Sequence, residues 1–260
     1  ANLTWNIDNW LYLSKDAFRY RWNGSKLEKD TIIDAPTGQY GLTQDEVGKM
    51  YYSRAGGEVV ALGFQQHPIY GALEMDGRWE EGFEEPWPLI GTSDVQGGEI
   101  RLRPDRTLNK FTGVAGQEIF LGDRLPMYGD LFIPEPVGRL VRRAKVTNLD
   151  GKMVLSNPYN KAEFMASTDP NFRPVRAATG PDGCLYIVDM YRGIIQEGNW
   201  TKEGSYLRPE IQRRNLDENI GKGRIYRVVH EQMKPYLPIK LLDKSSKELL
   251  EYLGHLNGWY

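Results

Sequence analysis

Apolar residues in this chain come in short runs, each closed by glycine, aspartate, asparagine or proline. That is the pattern of strands and tight turns. It is clearest over residues 171–195, NFRPVRAATGPDGCLYIVDMYRGII. Pro181-Asp182-Gly183 is turn chemistry: proline presets φ, aspartate caps its own backbone, and glycine accepts positive φ. Leu185 to Val188 then reads as a buried strand, with Asp189 and Arg192 expected where it ends.

The same grammar recurs. An Asp8-Asn9 turn precedes a Trp10–Leu13 strand, Phe18–Trp22 alternates as its partner, and Asn23-Gly24 is a hairpin turn. Asp45 to Gly48 makes the next turn, with strands at Met50–Tyr52 and Val59–Phe64. Residues 65–110 break the pattern with prolines and a Gly97-Gly98 pair, and are read as a long excursion between blades. Regularity returns at Phe111–Phe120, Gly129–Pro136 and Arg139–Val146. A polar loop is expected over 196–223, and Gly223–Val229 closes the unit. Repeating antiparallel units of this size predict an all-β chain, a β-propeller of four-stranded blades over residues 1–230. Unequal inserts suit part of a larger propeller better than closure by four units. After Lys234–Pro238, a linker, residues 243–254 are amphipathic. Ser246 is the expected N-cap, and Leu249, Leu250 and Leu253 share a face. This short helical tail, 231–260, is expected to open a helical region that continues further.

Composition narrows the function. The chain has 260 residues, a net charge of −2, seven Trp and fifteen Tyr. Mixed charge gives no polyanion-binding surface, so nucleic acid is not an expected partner. No apolar run is long enough to span a bilayer. Cys184 is the only cysteine, which excludes an internal disulfide and reads as a buried, inert thiol.

Several of these stretches carry a resemblance. NFRPVRAATGPDGCLYIVDMYRGIIQ, GQYGLTQDEVGKMYYS, GQEIFLGDRLP, FIPEPVGRLVRRAKV and GKGRIYRVVHE together resemble the propeller of the PVC-type haem-binding proteins, also called membrane-bound dehydrogenases. That propeller is similar to those of quinoprotein glucose and sorbosone dehydrogenases, usually six-bladed. The resemblance implies an exported, periplasmic or extracellular protein that oxidises a sugar or polyol. It implies pyrroloquinoline quinone with calcium as cofactors, and electron transfer to a c-type cytochrome domain. Family members are typically multi-domain, and the first blades are expected to lie outside this segment. The chain has no CxxCH, so no haem attaches to it.

A tricarboxylate quinone needs cations, calcium needs oxygen ligands, and alcohol oxidation needs a base. Arg173, held extended before Pro174, faces the channel or joins neighbouring blades. Asp189 and Arg192 bind a polar ligand or pair with each other or a neighbour. Glu135, between two prolines, ligates a metal or accepts turn amides. Gln39 and Arg54, with Gln44 and Asp45, flank the second repeat and are further cofactor candidates, Asp45 also reading as a plain turn residue. Arg139, Arg142 and Arg143 form a basic cluster, read as solvated strand positions. His67 is the candidate base because its intrinsic pKa suits proton transfer, although it sits in the irregular excursion. His230 and His255 read as surface and tail residues. A non-catalytic propeller binding carbohydrate or protein is the alternative, with Trp79, Trp87 and Trp200 suited to stacking on sugar rings.

Overall fold

A computed structural model describes residues 3–14, 18–31, 40–53, 62–65, 79–91, 98–149, 152–195, 198 and 201–260. Four antiparallel sheets follow one another along the chain. Blade 1 is a meander of β1 (Leu3–Trp5), β2 (Leu11–Leu13), β3 (Phe18–Trp22) and β4 (Leu27–Thr31). Blade 2 contains β5 (Gly41–Gln44), β6 (Met50–Ser53) and β7 (Leu62–Gln65). Blade 3 runs β8 (Glu118–Ile119), β9 (Leu131–Glu135), β10 (Leu140–Leu149) and β11 (Lys152–Ser156), and β12 (Met165–Ala166) also pairs with β10. Blade 4 comprises β13 (Pro174–Thr179), β14 (Leu185–Asp189) and β15 (Arg224–Val228).

The first strands of successive blades, β1, β5, β8 and β13, are neighbours in that order. This is propeller geometry, with inner strands side by side and sheet faces stacked. Hydrogen bonds join these strands: Gly116 N–H donates to Tyr40 O at 3.1 Å, and Ala177 N–H to Gly116 O at 2.8 Å. Strand alternation then divides the core between blades. Met50 and Tyr52 pack toward Tyr12 of blade 1, while Tyr51 joins Ile119, Leu131 and Ile133 of blade 3. Phe132, on the opposite face of β9, packs with Ala177, Leu185 and Ile187 of blade 4. Each fully buried side chain of this size contributes roughly 1.5–3 kcal/mol.

A repeated clamp fixes the hairpin turns. In blade 1, Asp8 Oδ1 accepts the Trp10 amide and Oδ2 accepts Tyr12 O–H at 2.7 Å, with Arg19 beside it. In blade 4, Asp182 Oδ1 accepts the Cys184 amide and Oδ2 accepts Tyr186 O–H at 2.9 Å, with Arg227 beside it. Asp45 does the same for Tyr51 O–H at 3.4 Å across a turn two residues longer. Aspartate at the turn and tyrosine on the following strand are thus one blade-level unit, in which a short polar side chain substitutes for a backbone turn bond.

Some expectations change. The polar loop within blade 4, between β14 and β15, contains a helix, α1 (Arg208–Arg214), with proline in its first turn and Asn215 in the left-handed region at its end. The tail helix α2 (Ser246–Glu251) is capped by Ser245, one residue earlier than the sequence suggests, in a reciprocal capping box with Glu248. Leu250 and Leu253 are exposed. The tail nevertheless returns to blade 4. Asn257, fully buried, donates to Gly180 O at 3.0 Å, and Tyr260 O–H donates to Pro181 O at 3.0 Å.

Candidate functional site

The end of blade 4 gathers four of the residues singled out in the sequence. Asp189 closes β14 and lies inside the strand, not after it. Its Oδ1 accepts the backbone N–H groups of Arg173 and Tyr191, both at 2.8 Å. Its Oδ2 lies 4.0 Å from Arg224 Nε. Arg173, fully buried, directs its guanidinium at backbone carbonyls: Nε to Arg192 O and Nη1 to Pro136 O, each at 2.9 Å, and Nη2 to Gly193 O. Pro136 belongs to the blade 3 turn, so Arg173 ties two blades together through carbonyls. Glu135, fully buried next to that proline, accepts Thr112 and Gly113 N–H at Oε2 and Val137 N–H at Oε1. Both its oxygens are taken up by turn amides.

Above this network the chain turns sharply. Tyr191 has φ of 46°, a costly conformation for a residue with a bulky side chain. The Arg224 guanidinium lies 3.5 Å from the Tyr191 ring centroid. Gly193 lets the loop touch Leu216: a Cβ there would meet Leu216 O at 2.2 Å. Arg192 is exposed and, with Arg208, Leu216, Asp217 and Asn219, lines a pocket of about 330 Å³. Neither arginine forms an ion pair among the described residues. Two guanidinium groups and an amide, against the single carboxylate of Asp217, form a donor set suited to a carboxylate-bearing ligand.

Gln39, Arg54, His67 and Trp200 lie outside the described residues. The basic cluster departs from the solvated reading. Arg139 and Arg142 are buried, and only Arg143 keeps partial exposure. Arg139 donates to Pro170 O and Val137 O, each at 3.0 Å. Arg142 pairs with Glu163 through Nε at 2.9 Å and through Nη2, and also donates to Phe83 O and to Glu85 O at 2.7 Å. The physical reason is that Arg142 lies on β10, which is packed on both faces, while Arg139 lies in the turn that leads into it, with φ of 59°. Their donors are matched by carbonyls, those of Phe83 and Glu85 in the excursion for Arg142 and those of Pro170 and Val137 for Arg139.

Two features escaped the sequence reading. Glu118, on the inner strand β8, reaches across both neighbouring inner strands: Oε1 accepts Thr179 N–H at 2.9 Å, and Oε2 lies 3.4 Å from Thr43 Oγ1. Burial pushes its carboxyl above the ordinary value, against the pull of Thr179 and Arg176. A lone carboxylate in an apolar run, Glu118 within Gln-Glu-Ile-Phe, was the available signal. Beside it Gln117 is fully buried, and its amide has no partner among the described residues.

The second is a cleft of about 420 Å³ between the turn at 80–87 and the turn at 157–161. Trp87 and Tyr159 line it half-buried, with Glu80, Glu81, Asn160 and Lys161 exposed around them. The buried Arg142–Glu163 pair lies under the first of these walls: Glu163 Oε1 accepts the Trp87 amide at 2.9 Å while Arg142 holds Phe83 O and Glu85 O. Trp79 does not reach this cleft; it stacks on Phe83 at 6.2 Å.

Comparison with known proteins gives one family. Residues 1–232 match the model of a domain of unknown function, DUF7133. A search of curated proteins gave no match. Among solved structures, a Thermus thermophilus protein described as an oxidoreductase (glucose dehydrogenase) aligns at 15% identity with a TM-score of 0.40. The alignment covers 78% of this chain and 62% of that one, so the chain spans less than two thirds of its length.

Proposed function

The chain belongs to the DUF7133 family, and we propose that it is the propeller of a dehydrogenase acting on a sugar or polyol, with the Arg192 pocket receiving a carboxylate-bearing quinone. One observation carries this reading: Arg192 and Arg208 line a common pocket and neither is engaged in an ion pair among the described residues. The sequence resemblance to quinoprotein propellers supports it. Arg192, Arg208 and Asn219 would hold the carboxylates of such a group, and Arg173 would set the Arg192–Gly193 backbone from below. The group would supply the two-electron oxidant for the alcohol. For calcium the described residues do not fit, because no three acidic, histidine or cysteine side chains converge and Glu135 is closed by amides. Export to the periplasm or beyond, and a c-type haem domain as electron acceptor, belong to the same proposal.

The test is direct titration of the protein with pyrroloquinoline quinone, followed by absorbance, then glucose oxidation with a redox dye. We expect saturable quinone binding that weakens at least about tenfold in Arg192→Ala/Arg208→Ala, a loss of about 1.4 kcal/mol. Absence of binding to the wild type, or unchanged binding by that variant, overturns the assignment.

A further inference from the structure

We propose that the Trp87 cleft is a docking site for neutral oligosaccharide, separate from the Arg192 pocket. Three side chains at its rim, Glu80, Glu81 and Asn160, are exposed and make no hydrogen bond among the described residues. A carboxylate accepts at two oxygens and an amide both accepts and donates, which suits vicinal hydroxyl groups. The half-buried Tyr159 ring, and the Trp87 ring on the side away from the Arg103 guanidinium, supply apolar surface for the C–H side of a sugar ring.

The cleft is also held in shape. Its 80–87 wall rests on the Arg142–Glu163 pair, whose side chains are 0% exposed. That wall is therefore ordered before a ligand binds, which lowers the entropic cost. Charge selects among ligands. The glutamates disfavour anionic saccharides. A cationic peptide meets Lys161, whose Nζ is 5.8 Å from the Trp87 ring centroid, and Arg103, whose guanidinium is 4.6 Å from it. Added positive charge would meet these two, and a neutral polyhydroxylated chain is the class that fits.

The experiment is calorimetric titration of the chain, without added quinone, using cellohexaose and mannohexaose as neutral probes. Hexalysine and hexagalacturonate serve as charged probes. We expect at least one neutral hexasaccharide to bind, and to bind more tightly than either charged probe. Trp87→Ala should weaken binding by about tenfold or more. Because that ring is partly buried, Glu81→Gln/Asn160→Ala provides a second variant that touches only exposed groups with no partner among the described residues. It should retain the wild-type melting temperature and lose several-fold in affinity. No binding of either neutral probe, preference for hexalysine, or full affinity in the second variant would overturn the inference. Quinone titration of the same variants should be unchanged, so failure here is distinguishable from failure at the Arg192 pocket.

Discussion

Replacing Arg142 by methionine tests whether the interior of blade 3 is organised as described. The wild-type guanidinium is fully buried and lies 4.8 Å from the Phe111 ring centroid and 5.3 Å from that of Phe83. Methionine preserves much of that packing and removes only the charge and the donors. What remains is a Glu163 carboxylate at 0% side-chain exposure without its cation, plus two carbonyls, Phe83 O and Glu85 O, without a donor. Breaking a buried pair on one side costs about 3–5 kcal/mol. Each orphaned carbonyl costs about 1–3 kcal/mol before relaxation. The contributions overlap, so about 4 kcal/mol is the expected loss, a large share of a typical domain stability of roughly 5–15 kcal/mol. Glu163→Met should cost somewhat less, because Arg142 keeps its two carbonyl acceptors while the Trp87 amide loses its own. The informative variant is Arg142→Met/Glu163→Met. With no uncompensated charge left, it should be more stable than Arg142→Met alone, despite carrying two substitutions. Urea unfolding monitored by circular dichroism, with the m-value checked for constancy, reads all four proteins. A single-variant loss below about 1 kcal/mol, or a double-variant loss equal to the sum of the singles, would refute the reasoning.

Other expectations follow from burial. Glu118→Gln should raise the melting temperature at neutral pH and match the wild type near about pH 4. A carboxyl pKa raised by folding contributes stability below its unfolded value and loses it as pH rises through the folded one. A difference that grows toward acid would contradict this. Cys184, fully buried and with its thiol pushed up to about 11 by burial, should resist Ellman's reagent in the native protein and react once denatured. Rapid labelling of the folded chain would show that the β13–β14 hairpin opens.

How far the sequence could be read depends on whether a signal is local. Turn chemistry is local, so the aspartates at the turns of blades 1, 2 and 4 were visible, and the hairpins at Asp8, Asp45 and Asp182 appear where that chemistry puts them. The division of β9 and β10 between two cores is not local. Period-2 alternation says that Phe132 opposes Ile133, but not that both faces are covered. For the same reason Arg139 and Arg142 read as solvated, since an arginine is normally exposed unless something distant supplies acceptors. Those acceptors come from Pro170, Phe83 and Glu85, which lie 31, 59 and 57 residues away. The site residues divide along the same line. Arg173, Asp189, Arg192 and Glu135 were recognisable as unusual because prolines and strand ends hold them. Their roles were settled by which carbonyls and amides the neighbouring blade brought to them. Arg173 and Glu135 found backbone partners, and became the frame. Arg192 found none for its side chain among the described residues, and its guanidinium is left facing a pocket. In a propeller the residues most conspicuous in sequence can therefore be the ones that brace the blades, while ligand chemistry falls to their less constrained neighbours.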